Sequence, residues 1–490
     1  MKRKIRLFSI GILISLGFLQ NCAREPGDIP PNSVVPSPEQ IAYQNMELIG
    51  FVHFTVNTFT DKEWGYGDES PEIFNPSALN TIQWAHVAKM AGMKQLILTA
   101  KHHDGFCLWP SAYTEHSIKN SPWRKGHGDV VYEFVEACRS NGIKAGLYLS
   151  PWDRNHADYG TAAYLAYYRN QLRELLTHYG EISEIWFDGA NGGDGYYGGA
   201  NETRRIDRNT YYQWDVTWQL VKQLQPHCLI FSDAGPDIRW IGNEHGFAGK
   251  TNWSTITTRG ITVGGADMNY LNSGDPLGEN WVAGECDVSI RPGWFYHASE
   301  DSMVKTPREL ADIFYKSVGR NGVLLLNIPP DRRGLFHEND IAALRKFREI
   351  LDETFAVNLA QGKKITASNV RLNYIKFAAD NISDENKLTY WAADDGIFEA
   401  NLEIDLGEEV VFDRIELQEP IRFGQRISRF SIETGIGDRW EKIAEGTTIG
   451  YKRLLRIQPV KSSRVRIVIL EANNSPALSH FGLYKASGRE

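Results

Sequence analysis

Asp188 and Glu244 are the side chains whose type and setting could do the most chemistry. Asp188 closes the run SEIWFDGA (183–190), behind Ile185, Trp186 and Phe187 and ahead of Gly189. An apolar run of this kind reads as a strand covered on both faces and ending in a polar tip. Glu244 lies in RWIGNEHGF, on a long loop beyond the next strand. Two carboxylates delivered from neighbouring strand ends are what glycoside hydrolysis requires, one as nucleophile and one as general acid/base. A surface or capping carboxylate is the other reading of either residue, and the adjoining Trp and Gly weigh against it. A second run, LILTAKHHDGF (96–106), ends in His102, His103 and Asp104, and His53 follows Gly50-Phe51-Val52. Adjacent residues of an extended strand face opposite sides, and no further closely spaced His pair follows. Imidazoles binding sugar hydroxyls are therefore expected, with no metal in the catalytic site.

These residues need a frame, and the chain supplies one from Ile49 onward. Strand-like GFVHF (50–54), MKQLILTA (93–100), IKAGLYLS (143–150), SEIWFDGA, CLIFSDA (228–234), NWVAGECDVSI (280–290) and GVLLLNIPP (322–330) alternate with helical stretches at 80–92, 129–142, 161–180, 211–226, 307–319 and 338–354. The α/β pattern predicts a (β/α)8-like barrel over 45–355, with active-site residues at the carboxyl ends of its strands. Residues 235–280 are poor in helix signals and read as long loops, so the barrel is expected to be irregular. From about Ala356 the pattern changes to short alternating strands without long helices, which predicts an all-β jelly-roll sandwich over 356–490.

The chain has 490 residues, 42% of them hydrophobic, with 14 Trp and a formal net charge of −8. That charge gives no reason to expect nucleic acid as a partner. Lys2, Arg3, Lys4 and Arg6 precede an apolar stretch at 7–19, too short to span a bilayer, and Cys22 follows Leu19-Gln20-Asn21. Residues 1–22 thus resemble a bacterial lipoprotein signal, with a Pro-rich tether over 23–44. The expected location is periplasmic or at the outer membrane, with membrane contact only through an N-terminal lipid. Cys107, Cys138, Cys228 and Cys286 lack metal or disulfide spacing and read as buried thiols.

Residues 45–350 together resemble the glycoside hydrolase family 29 α-L-fucosidases. The resemblance rests on GFVHFTVNTFTDKEWG (50–65), LILTAKHHDGFCLW (96–109), KAGLYLSPWDRN (144–155), EIWFDGA (184–190) and RWIGNEHGFAG (239–249). It implies a retaining exo-α-L-fucosidase acting on fucosylated oligosaccharides or glycoprotein glycans without a cofactor; a non-catalytic carbohydrate-binding lipoprotein is the alternative. The SPWDRN and GNEHG forms are similar to the branch cleaving α-1,3 and α-1,4 linkages. By resemblance Asp188 is the nucleophile and Glu244 the acid/base, with Glu285 in AGECD next in line. His53, Glu63, Trp64, His102, His103, Tyr148, Trp186 and Arg239 align with residues around the fucose ring, Arg239 and Tyr148 donating to Asp188, and Trp294 in RPGWFYH covers the C5 methyl. The loops 152–159 and 236–249 are expected to overhang the site, with Asp153 and His156 binding a second sugar. Residues 357–488 resemble the discoidin-like, galactose-binding-like sandwich, whose loop DNISDENKLTYW (380–391) admits a structural Ca²⁺. The sandwich is expected to be dispensable for chemistry.

Overall fold

The computed structural model describes residues 27–489, and the segment expected as a lipoprotein signal, with Cys22, lies outside them. The chain divides into the units Met1–Pro30 and Pro31–Glu490, and all that follows concerns the second. Its centre is a closed parallel barrel of eight strands: β1 (Leu48–Val52), β2 (Gln95–Lys101), β3 (Lys144–Leu149), β4 (Glu184–Trp186), β5 (Leu229–Ser232), β6 (Ile238–Trp240), β7 (Ala283–Ser289) and β8 (Gly322–Asn327). β8 closes on β1 through pairs such as Gly50 with Leu326. Seven strands coincide with the predicted runs. The eighth, β6, falls within the stretch expected to be loop; it is only three residues long and sits between Pro236 and Gly242.

Side chains alternate across each strand, so every second residue points into the barrel. Phe51, Tyr148, Trp186, Phe231, Ile238 and Leu325 form its apolar interior. Trp186 stacks on Phe231 with centroids 4.0 Å apart. Helices cover the outside, begun and ended by their own side chains. Asp129 caps α3 (Val130–Asn141) by accepting the Tyr132 amide, and Gly142 ends it in the left-handed region. Here α1 is Pro38–Gln44 and α2 is Thr81–Met90. The stretch expected as tether therefore contains helix α1, because Tyr43 has a partner to reach: its hydroxyl donates to Glu285 at 2.6 Å in the floor of the barrel.

The second layer of the unit is a six-stranded antiparallel sheet with two long strands, Ala400–Gln418 and Arg453–Ala472, at its middle. Each joins two runs that read as separate strands in the sequence; register shifts carry the pairing across the break. The sheet is tied to the barrel by Lys452, whose ammonium meets Glu47 at 2.8 Å and Glu416 at 3.1 Å. The expected Ca²⁺ loop uses its oxygens on itself. Asp384 accepts from the Asn386 amide and the Thr389 hydroxyl, and Asp380 from the Ile365 amide. Among the described residues no group of three or more His, Cys, Asp or Glu is disposed to hold a metal, so these residues do not fit the ion. The four cysteines of the described residues are buried and free. No described helix is long and apolar enough to cross a membrane.

Candidate active site

The barrel opens at its carboxyl end into a cavity of about 460 Å³, with Asp188 and Glu244 both on its lining. A period-two rule builds the near wall. On three strands an inward aromatic residue is followed two positions later by a polar one that reaches the cavity: Phe51 then His53, Trp186 then Asp188, Phe231 then Asp233. Asp188 Oδ2 accepts the Tyr148 hydroxyl at 2.9 Å, and Oδ1 accepts the Ala190 amide at 2.7 Å. Both donors hold the carboxylate in one orientation.

Three imidazoles, His53, His102 and His103, line the same cavity, and all three are neutral at ordinary pH. Burial pushes His53 down to about 3 and His103 down to about 4, the latter against the pull of Asp188. Burial and the neighbouring histidines also hold His102 well below its usual value. Their hydrogen bonds assign two tautomers. Asn327 spends its amide hydrogens on Ser289 Oγ and the Trp294 carbonyl, so its Oδ1 accepts from His53 Nδ1 at 2.9 Å. Ser150 donates to the Trp152 carbonyl, so its oxygen accepts from His103 Nδ1 at 2.7 Å. In both rings Nε2 is left as an acceptor, suited to a sugar hydroxyl. His103 Nε2 stands 3.8 Å from Asp188 Oδ2. Trp64, 53% exposed, sets its ring edge against His103 and Trp152 and forms the outer rim.

The far wall is made of loops. Glu244 sits in a turn closed by Asn243, whose Oδ1 accepts the His245 and Phe247 amides. Partial burial and the charge of Asp188 raise the Glu244 pKa, opposed by the Trp294 indole donating to Oε2 at 3.3 Å. A carboxyl so placed keeps its proton to higher pH than a free one. Asp287 also lines the cavity, accepting the Trp240 indole at 2.8 Å, and burial holds it well above the usual carboxylate range.

Several residues fall elsewhere than expected. Arg239 makes no bond to Asp188. It is the middle residue of β6, so it points away from the barrel interior that Ile238 enters. Its buried guanidinium donates to the carbonyls of Leu271, Val282 and Trp253 and to Asn252 Oδ1, and burial lowers it to about 10. Glu63 does not line the cavity. Its carboxylate accepts the amides of Trp294 at 2.8 Å and Phe295 at 3.0 Å and pairs with His297, which anchors the Trp294 loop. Asp153 is buried against Lys101 at 3.0 Å, beneath the site. His156 packs on Tyr167 with centroids 4.0 Å apart, outside the cavity. Glu285 lies one layer below the floor and accepts the Trp186 indole at 2.8 Å. Trp186 and Trp294 are on the cavity lining. Asp233, Asp287 and Met268, which also line it, were not anticipated; FSD at 231–233 repeats the WFD pattern of 186–188, and that register was the signal for Asp233.

A parallel barrel with carboxylates, neutral imidazoles and aromatic faces around one small cavity has the equipment of a glycoside-cleaving enzyme. Comparison with known proteins gives the family. The alpha-L-fucosidase profile matches residues 35–353, and the F5/8 type C domain profile matches 364–481. Alpha-L-fucosidase 1 of Arabidopsis thaliana is 46% identical over 456 residues, 92% of this chain and 87% of the relative. A glycoside hydrolase 29 family member from an unknown rumen bacterium superposes with TM-score 0.83 at 45% identity, covering 94% of this chain and 78% of that one. A Ruminococcus gnavus GH29 fucosidase solved in complex with fucose gives 0.84 at 33% identity, covering 95% and 97%. The chain belongs to the α-L-fucosidases of glycoside hydrolase family 29.

Proposed function

We propose that this chain is a retaining exo-α-L-fucosidase that removes α-1,3- and α-1,4-linked fucose from branched, Lewis-type glycans, with Asp188 as nucleophile and Glu244 as acid/base. The observation that carries the reading is Asp188 itself, fixed by Tyr148 and the Ala190 amide at a strand tip, with a second carboxyl, Glu244, on the lining of the same cavity and its pKa raised by burial and by the charge of Asp188. In the first step Asp188 bonds to C1 of fucose while the C1–O bond to the glycan breaks, and Glu244 gives its proton to the departing oxygen. In the second, ionised Glu244 takes a proton from water, whose oxygen bonds to C1 and releases Asp188. Two inversions return fucose with its original configuration. Neutral His53 and His103 accept hydrogen bonds from hydroxyls of the sugar, and Trp294 and Trp186 meet its apolar faces. The fucose bound by the R. gnavus relative supports that sugar as the occupant.

The linkage reading rests on the forms of SPWDRN and GNEHG, and no longer on Asp153 and His156, which lie outside the cavity. The basic, apolar and Cys22-containing segments of 1–22 support export to the periplasmic side and lipid anchoring. Product analysis on Lewis-type trisaccharides and on α-1,2-fucosyl lactose tests the function. Faster release from the former supports it; equal rates, or preference for the α-1,2 linkage, overturn it.

A further inference from the structure

Around the barrel mouth the strand tips run in order His53 after β1, His102 and His103 after β2, Tyr148 on β3, Asp188 after β4, Asp233 after β5, and Trp240 on β6 leading to Glu244. Imidazoles thus occupy the flank before Asp188, and Asp233 occupies the gap between the two carboxylates the reaction uses. If fucose rests against the imidazoles with C1 at Asp188, the oxygen it is joined to must reach Glu244, and the next sugar passes the β5 tip.

That tip is a built wall. Asp233 Oδ2 accepts the Gly264 amide at 2.7 Å, which pins a loop whose Gly264, Gly265, Ala266 and Met268 line the cavity. The loop lies close against the chain beside the nucleophile. Gly264 has φ +80°, and a Cβ there would stand 2.1 Å from the Gly189 carbonyl oxygen, so no larger residue fits. A Cβ on Gly189 would in turn lie 2.7 Å from Asp233 Oδ2. The carboxylate has about four acceptor positions, and the Gly264 amide takes one. Met268 is 58% exposed and offers an apolar platform next to it. Burial and the charge of Asp188 push Asp233 up to about 6, which leaves it a carboxylate, and so an acceptor, at neutral pH.

We infer that Asp233, with the loop it latches and Met268, forms the subsite for the sugar that bears the fucose, and that its carboxylate accepts a hydrogen bond from a hydroxyl of that sugar. The inference rests on the fucosidase reading and adds which residues of the cavity meet the leaving glycan. Asp233 acts on specificity, since it meets the aglycone and not C1.

The test compares two substrates on the intact protein: α-L-fucosyl fluoride, whose leaving group fills no subsite, and a Lewis-type trisaccharide. Asp233→Asn retains an oxygen for Gly264 but puts an amide donor where the sugar hydroxyl needs an acceptor. The ratio of kcat/KM for trisaccharide over fluoride falls by about tenfold or more, the range of a hydrogen bond to a charged group. Met268→Ala, which leaves both partners of the Asp233–Gly264 bond unchanged, lowers the same ratio by a smaller factor, through KM. Equal losses on both substrates, or no loss on either, in Asp233→Asn overturn the inference. Should that variant not fold, an unchanged ratio in Met268→Ala overturns it instead. Failure of the wild type to hydrolyse the fluoride would sink the fucosidase reading and is seen before any variant is made.

Discussion

The two walls of the cleft are built differently. On the near wall His53, His102, His103, Tyr148 and Asp188 all lie on a barrel strand or within two residues of its end, and their partners are strand or strand-tip residues. On the far wall Glu244, Trp294 and the loop bearing Gly264 stand on long connections that need support from elsewhere. Glu63 holds the Trp294 loop from across the mouth. Arg239 gathers the carbonyls of three loop segments from outside the barrel. The β-sandwich holds the same loop: Asn252 donates its amide to Thr448, and Gln425 accepts the Ser254 amide and donates to the Asn252 carbonyl. A barrel strand fixes a side chain through its own ladder of hydrogen bonds, whereas a loop takes its position from whatever packs behind it. The rigid wall suits a sugar that never changes, and the supported wall suits the part of the substrate that does.

The contrast breaks most sharply at the two carboxylates. Asp188→Ala lowers kcat/KM on every fucoside by about 10²-fold or more, since no covalent intermediate forms. Glu244→Ala lowers kcat/KM for glycans by about 10²- to 10⁴-fold but spares kcat/KM for fucosyl fluoride, whose departure in the first step needs no proton. Equal losses on both substrates for Glu244→Ala would move the acid elsewhere, and Asp287 on the same lining is then the group to replace.

Asp153 separates support from chemistry. Asp153→Ala leaves the Lys101 ammonium buried without its counter-charge, with only Gln171 still accepting from it, and should cost about 3–5 kcal/mol of stability, read as a fall in the denaturant midpoint. Linkage preference should not change, and a change would restore this residue to substrate recognition.

The sandwich is expected to matter through the loop it props. Gln425→Ala strands the Ser254 amide, at about 1–3 kcal/mol for a buried group left unpaired, while Asn321 still donates to the Asn252 carbonyl, with a few-fold loss of kcat. An unchanged kcat and melting temperature would return the sandwich to the dispensable role its sequence suggests.

The smallest effect is a shift in pH profile. Glu244 must be protonated to act, so activity falls as pH rises through its raised pKa. The Trp294 indole favours the ionised form. Trp294→Phe removes that donor and moves the alkaline limb to higher pH; movement to lower pH contradicts the contact.

The near wall was legible because apolar runs ending in His or Asp announce strand tips without reference to the rest of the fold. The far wall was not, and β6 shows why. Ile238–Trp240 is too short to display a period and is hidden between Pro236 and Gly242, so Arg239 had no predicted face. Once the strand is known, alternation alone turns Arg239 outward. Asp153 failed for another reason. SPWDRN looks like a solvated polar turn, and nothing near it in sequence reveals Lys101, which arrives from the end of β2. Asp233 was within reach, as the second residue after an inward aromatic, had the Trp186–Asp188 register been carried to the next strand.

The central claim, that the strand-borne carboxylate makes the bond to sugar while the loop-borne one moves the proton, is tested most directly by trapping. A 2-deoxy-2-fluoro-fucosyl fluoride slows both steps but keeps a reactive leaving group, so the covalent intermediate accumulates. After digestion, mass spectrometry should find the fluorosugar on the peptide carrying Asp188, at that residue. A label on Glu244, Asp233 or Asp287, or turnover without any label and with inverted fucose as the first product, would contradict the account.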